Sequence, residues 1–335
     1  LGVELVWQSG SGYFGSRNPD GSFSLDRFQE TLARHPAVRA IEIKLSQGAK
    51  PGVGGILPGA KVTPAIAAAR GIPVGKDCLR PSTHSAFRGV DELLDFTERL
   101  AELSGLPVGI KSAVGETAFW EELAQAMVPG TRGVDFITID GGEGGTGAGP
   151  LVFSDHVAFP FKIGFSRVYR TFADRGVADR VVFIGSGKLG FPDTALLAFA
   201  LGCDMIALAR EAMLSIGCIQ AQRCHTGHCP TGVATHNPWL VRGLVPEDKA
   251  ARLANYILVL RQELLRHSRT CGTVHPGLVT AEDLDLVGDA FGTRSVSDVF
   301  GYAPGYGLPS AEDCATIQHL MQHLNSPRPE PAPIP

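Results

Sequence analysis

An α/β fold in which a parallel sheet, open or closed as in a (β/α)8 barrel, alternates with helices is predicted by three features of the chain. Apolar runs of strand length recur along it, a glycine-rich loop follows most of them, and amphipathic helical stretches separate them. Six strands are predicted, centred near residues 5, 41, 109, 137, 183 and 204. If the sheet closes as a barrel, which needs eight strands, the first two βα units are expected upstream of Leu1. The chain enters the apolar run Val3 to Trp7 almost at once, as the middle of a domain would. Any targeting segment is expected in that upstream part.

The first strand gives way to the glycine loop Gln8 to Tyr13, and a helix is predicted from Leu25 to His35. The second strand, Val38 to Leu45, ends in Ser46-Gln47-Gly48-Ala49-Lys50-Pro51-Gly52-Val53-Gly54-Gly55. That loop sets an amide, an ammonium group and several glycines at the C-terminal end of a strand, where α/β sheets bind ligands. Thr63-Pro64 opens a short helix and Arg70-Gly71 closes it. The polar stretch up to Gly89, with Lys76, Asp77, Arg80 and His84, is either a functional loop or a solvated connector.

Leu93, Phe96, Leu100 and Leu103 recur at helical spacing. In the next strand, Leu106 to Val114, Lys111 stands among apolar neighbours, so its ammonium must reach solvent or meet an anion. After a helix over Glu116 to Met127, the strand Val134 to Asp140 runs into the glycine-dense Gly141 to Pro150. A helix-rich segment about Ser154 to Asp174 precedes the strand ending at Ile184 and the loop Gly185-Ser186-Gly187-Lys188. A helix to Leu201 and a last strand from Cys203 follow. This glycine loop plus a short βα unit has the form of the phosphate grip in the last two strands of a barrel. Pro246 begins a helix with Leu253, Ile257, Leu260 and Leu264 on one face. The domain plan is therefore a barrel domain over 1–245, a helical extension over 246–325 and a proline-rich, disordered tail over 326–335.

Of 335 residues 44% are hydrophobic and 19% charged, with a net charge of -4, so nucleic acid and anionic membrane are not expected partners. No apolar run has the length of a membrane helix. Three of the seven cysteines cluster, which favours a reducing compartment, the cytoplasm, and metal chemistry over a disulfide framework.

That cluster is Cys218-Ile-Gln-Ala-Gln-Arg-Cys224-His-Thr-Gly-His-Cys229-Pro230. Thiolates this close, on a backbone bent by Gly227 and Pro230, can converge on an iron-sulfur centre. A zinc site completed by His225 or His228, or inert packed thiols, are the other readings of the same residues.

Lys44-Leu-Ser-Gln-Gly-Ala-Lys-Pro-Gly with Gly54-Gly55, Gly144-Gly-Thr-Gly-Ala, and Gly217-Cys-Ile-Gln with Cys224-His-Thr and Cys229-Pro-Thr-Gly-Val-Ala-Thr235 together resemble the FMN-binding synthase domain of glutamate synthases, from about Leu5 to about Leu265. The resemblance implies an FMN-binding barrel and a 3Fe-4S cluster on Cys218, Cys224 and Cys229. It implies reduction of 2-iminoglutarate, formed from 2-oxoglutarate and ammonia, to L-glutamate. Gln47, Lys50 and Arg70 would hold the 2-oxoacid, whose two carboxylates call for two cations. Gln8, Gly144, Gly145, Thr146 and Gly147 would line the flavin, and Gly185, Ser186, Gly187 and Lys188 its phosphate. Lys111 would stabilise the reduced ring. Val53 and Arg80-Pro-Ser-Thr depart from the family pattern and bear on oxoacid specificity. The glutaminase domain of the large synthases is not in this stretch, so nitrogen would come from ammonia, an alkylamine as in N-methylglutamate synthases, or a separate glutaminase subunit. Electrons would come from ferredoxin or a pyridine-nucleotide-linked subunit. A cluster-bearing electron-transfer subunit without catalysis is the remaining alternative.

Overall fold

The computed structural model describes residues 3–145, 149–150, 152–153, 155–288 and 292–325. In chain order the elements are β1 (Leu5–Gly10), α1 (Leu25–Arg34), β2 (Val38–Lys44), β3 (Gly55–Leu57), α2 (Pro64–Arg70), β4 (Cys78–Arg80), α3 (Gly89–Ser104), β5 (Val108–Ser112), α4 (Ala118–Met127), β6 (Phe136–Asp140) and α5 (Phe161–Ala173). There follow β7 (Val182–Ser186), α6 (Pro192–Ala200), β8 (Met205–Ala207), α7 (Arg210–Ser215), α8 (Pro246–Thr270), β9 (Asp285–Val287), β10 (Thr293–Ser295), α9 (Val296–Phe300) and α10 (Ala311–Asn325).

All six predicted strands form one parallel sheet in the order β1-β2-β5-β6-β7-β8. Each strand lies beside the next main strand in sequence, which is the order and direction of a (β/α)8 barrel. Side chains alternate across the sheet. Ile41, Ile43, Val108, Ile110, Ile137, Ile139 and Phe183 are buried on the helix side, against Leu93, Leu94, Trp120, Leu123, Phe165 and Phe172. Each such side chain contributes about 1.5–3 kcal/mol on leaving water. The opposite, inner side carries Glu42, Lys44, Lys111, Thr138, Asp140 and Ser186, so the apolar helix face fixes where these polar groups point.

Local chemistry sets the element ends. Ser24 Oγ caps α1 by accepting from Arg27 N–H, and Thr63 Oγ1 caps α2 by accepting from Ile66 N–H. Gly71 and Gly105 close α2 and α3 with left-handed backbone. At the lower rim, Asp135 Oδ2 accepts from Val108 N–H and Asp204 Oδ2 from Phe183 N–H, each at 2.7 Å.

The polar stretch before Gly89 is not all loop. Cys78–Arg80 pairs antiparallel with Gly55–Leu57, forming a two-stranded flap beside the upper rim. Its strands are three residues each, too short for a period-two pattern to emerge from sequence. In the C-terminal part, α8 packs through Leu260 and Leu264 on Ala195, Leu196 and Ala200 of the α6 helix. The segment after Cys271 also holds the β9–β10 pair. Among the described residues no helix is long and apolar enough to cross a membrane. The tail over 326–335 lies outside the described residues.

Candidate active site

Lys44, Asp140, Ser186 and Ala207 are the last residues of β2, β6, β7 and β8. With Lys111 of β5 they line a cavity of about 170 Å³ at the C-terminal mouth of the sheet. Gln47, Gly144, Gly145, Gly187, Lys188 and, at the start of α7, Arg210 and Glu211 complete the lining, with Arg210 packed against Gly145. A smaller cavity of about 30 Å³ adjoins it, lined by Lys50, Gly54, Arg80 and Ser82. Lys44 and Gln47 line both and so form the partition between them.

Asp140 organises the larger cavity. Its Oδ2 accepts from the backbone N–H of Gly48 and its Oδ1 from Ser186 Oγ, both at 2.7 Å, and Lys111 Nζ stands 4.0 Å from Oδ1. The lysine inside an apolar strand thus meets the anion its position required. Gly48 allows this contact, since a Cβ there would lie 1.7 Å from the Gly141 carbonyl oxygen. One row below the mouth, Glu42 accepts from Thr138 Oγ1 at 2.7 Å and from the Gln8 amide.

The mouth is rich in cations. Among the described residues, Lys44, Lys111, Lys188 and Arg210 line the larger cavity with two acids, Asp140 and Glu211, while Lys188 also stands 3.9 Å from Asp155 Oδ1. Burial, then Arg80 and Lys111, pushes the Lys44 ammonium down to about 8. Lys50 is lowered by burial and by Arg80, and Arg80 by burial and by Arg70. Each protonated group raises the cost of charging the next, so an anionic ligand would relieve the crowding.

The structure sorts the predicted residues. Gln47, Lys111, Gly144, Gly145, Ser186, Gly187 and Lys188 line the larger cavity, and Lys50 the smaller. Arg70, the last residue of α2, lies outside both with its guanidinium 4.7 Å from the centre of the Phe14 ring. Gln8 is exposed and held by Glu42. Gly185 faces the helices, where a Cβ would meet Cys203 Sγ at 2.8 Å. Its role is close packing, with only its backbone left for a ligand. Thr146 and Gly147 lie outside the described residues. Sequence reasoning gave no role to Lys44, Asp140, Arg210 or Glu211, and tied Arg80 to oxoacid specificity only through its departure from the family pattern. Their shared signal is a charged residue closing or directly following an apolar strand.

The three cysteines follow α7 on one loop. Cys218 Sγ accepts from Gln220 N–H at 3.4 Å. Burial raises the Cys229 thiol, but the Thr231 hydroxyl and the N–H groups of Ala234, Thr231 and Val233 outweigh it and leave the group below its usual range. Donors aimed at sulfur suit a thiolate ligand. Lys61 Nζ donates to the Cys224 carbonyl, tying this loop to the segment before α2. Among the described residues, however, no three His, Cys, Asp or Glu side chains are gathered as a metal site. The donor chemistry fits a metal centre, but the three sulfurs are not brought together.

A family model described as the conserved region in glutamate synthase matches residues 2–273. The glutamate synthase large subunit-like protein YerD of Bacillus subtilis is 38% identical over 275 residues, covering 82% of this chain and 52% of that protein. The archaeal glutamate synthase (NADPH) of Methanocaldococcus jannaschii is 39% identical over 227 residues, covering 67% of this chain and 44% of that one. The glutamate synthase (NADPH) large chain of Bacillus subtilis is 31% identical over 235 residues, covering 69% of this chain but 15% of that chain. The chain spans about half the length of the first two relatives. With the match running through all six sheet strands and the cysteine loop, the chain belongs to the glutamate synthase family.

Proposed function

We propose that this chain carries the synthase chemistry of a glutamate synthase-type oxidoreductase. FMN would occupy the larger cavity, and 2-oxoglutarate, with ammonia or an amine, would bind over the smaller one, whose space of about 30 Å³ takes one of its carboxylates. The observation that carries this reading is the pair of adjoining cavities divided by Lys44 and Gln47. A hydride donor and its acceptor must meet across such a partition.

When bound, FMN would supply the hydride that converts the imine, formed from the oxoacid and the amine with loss of water, to L-glutamate. The chain's residues supply the rest. Lys188 and Arg210 suit a phosphate, with Gly187 leaving the backbone open to close approach. Lys111, oriented by Asp140, brings positive charge to the ring. Lys50 and Arg80 meet a carboxylate in the smaller cavity, and Arg70 adds field from behind Arg80. Lys44, near half-protonated at pH 8, stands where a proton is needed as the imine accepts hydride. Cys218, Cys224 and Cys229, apart in this structure, would have to be drawn together to hold the 3Fe-4S cluster; it would then supply one-electron relay, fed by an electron-donor subunit or protein.

The test titrates 2-oxoglutarate into the flavin-loaded intact protein and follows the flavin absorption. Adjoining sites predict a saturable difference spectrum, weakened at least about tenfold by Arg80→Met. A flat titration, or equal affinity in the variant, refutes the assignment of the smaller cavity.

A further inference from the structure

Tyr13, in the loop after β1, is fully buried yet holds a left-handed backbone at φ 47°. A non-glycine residue is kept there at a cost of about 1 kcal/mol or more, and only where its surroundings fix it. Its phenol oxygen accepts from Ser85 N–H and from Ala86 N–H, both at 3.0 Å. With both lone pairs engaged, its own proton has one direction left, toward His84 Nδ1 at 3.1 Å. This assigns the tautomer. His84 then carries its hydrogen on Nε2 and donates it to the Lys44 carbonyl at 2.9 Å. Burial keeps the imidazole below its ordinary range, in the neutral form the chain of donors requires. Stacking on Phe87 at 4.8 Å fixes the ring plane.

The other side of the same peptide is also held, because Leu45 N–H donates to the Lys111 carbonyl at 2.8 Å. The Lys44–Leu45 peptide is thus pinned from the flap side by His84 and from the sheet side by β5. Lys44 divides the two cavities together with Gln47, and its ammonium faces Arg80, Lys111, Asp140 and Lys50. A rotation of that peptide would swing the ammonium toward one cavity and away from the other.

We propose that His84, oriented by Tyr13, is a positioning residue that fixes the Lys44 ammonium at the partition between the two cavities. In its catalytic consequence this rests on the function proposed above; in its structural claim it does not. Neither Tyr13 nor His84 itself lines either cavity, and the hydrogen bond from His84 reaches them through Lys44.

The test uses His84→Leu, which removes the donor, Tyr13→Phe, which removes its orienter, and His84→Gln, whose amide can donate to the same carbonyl. Competitive labelling of Lys44 by an amine-reactive reagent, read by mass spectrometry across pH, reports its environment without any turnover. The wild-type midpoint is expected near about 8, moving up by at least about one pH unit in His84→Leu and Tyr13→Phe and returning in His84→Gln. In glutamate formation from 2-oxoglutarate and ammonia, His84→Leu should lower kcat about 10- to 100-fold while KM changes less than about threefold, with His84→Gln recovering most of the loss. An unchanged midpoint in both His84→Leu and Tyr13→Phe, or a His84→Gln variant as impaired as His84→Leu, overturns the proposal. If His84→Leu does not fold, Tyr13→Phe, which deletes one oxygen, carries the comparison. A wild-type protein that turns over no 2-oxoglutarate would refute the proposed reaction, and the labelling would still decide the positioning role.

Discussion

Replacing Asp140 by Asn probes the charge balance of the mouth with almost no change of shape. Asp140 is 7% exposed, accepts from Gly48 N–H and Ser186 Oγ, and faces Lys111 at 4.0 Å. An amide retains one acceptor, so its oxygen stays with Gly48 and its NH2 turns to Ser186, whose hydroxyl can reverse. Two charge-assisted hydrogen bonds become neutral ones, a loss of about 1 kcal/mol each. Lys111 also loses its counter-ion while remaining largely buried, which adds about 1–2 kcal/mol after discounting for solvent at the open mouth. The expected total is about 3–4 kcal/mol, measured as ΔG of urea unfolding on flavin-free protein, where bound ligand cannot offset it. Asp140 also supports the protonated form of Lys44, so the Lys44 labelling midpoint should fall further in the variant. A stability within about 0.5 kcal/mol of wild type together with an unmoved Lys44 midpoint would show that solvent, not Asp140, balances these ammonium groups.

Gly48→Ala brings a Cβ within 1.7 Å of the Gly141 carbonyl oxygen, so backbone must move against backbone; a loss of about 2–4 kcal/mol in urea unfolding is expected, and less than about 0.5 would refute the close approach. The depressed Lys44 value makes the unfolded chain bind more protons than the native one between pH of about 8 and 10.5. Stability measured relative to Lys44→Met should therefore rise with pH across that window, and a flat difference would contradict the burial of the charge. Serine at Cys218, Cys224 or Cys229 should each abolish stoichiometric iron and acid-labile sulfide in the reconstituted protein, while serine at Cys203, buried in the main core, should retain them; iron retained in any of the first three removes that residue from the ligand set.

The strands were legible because six apolar runs of Val, Ile and Phe end in glycine loops, and a sheet covered by helices leaves that pattern in sequence. Gln47, Lys50, Lys111 and Ser186 to Lys188 were legible for a related reason, since polar groups in the last residues of a strand or just past its end have one place to go. Arg80 was less so. Its strand is three residues long, and its approach depends on Gly55, where a Cβ would meet its guanidinium at 2.3 Å. The glycine pair that looked like a ligand cradle is in part a slot for an arginine. Lys44 and Asp140 were read as strand residues because nothing local shows that one divides two cavities and the other joins three elements. The resemblance assigns Arg70 to the oxoacid; its contact with the Phe14 ring, made by helix α2, is a long-range packing outcome with no sequence signal. The cysteine spacing was read as a metal site, and the N–H groups around Cys229 are the part of that reading visible in the fold.

The central claim, that flavin and oxoacid sites adjoin across Lys44 and Gln47, is tested most directly by an anaerobic single turnover. The flavin of the intact, cluster-loaded protein is photoreduced, then mixed with 2-oxoglutarate and ammonia while its absorption is followed. The account predicts flavin reoxidation matched by one glutamate per flavin, and loss of that reaction in Lys44→Met with flavin still bound. A reduced flavin that stays reduced in the presence of 2-oxoglutarate with either ammonia or methylamine would contradict it.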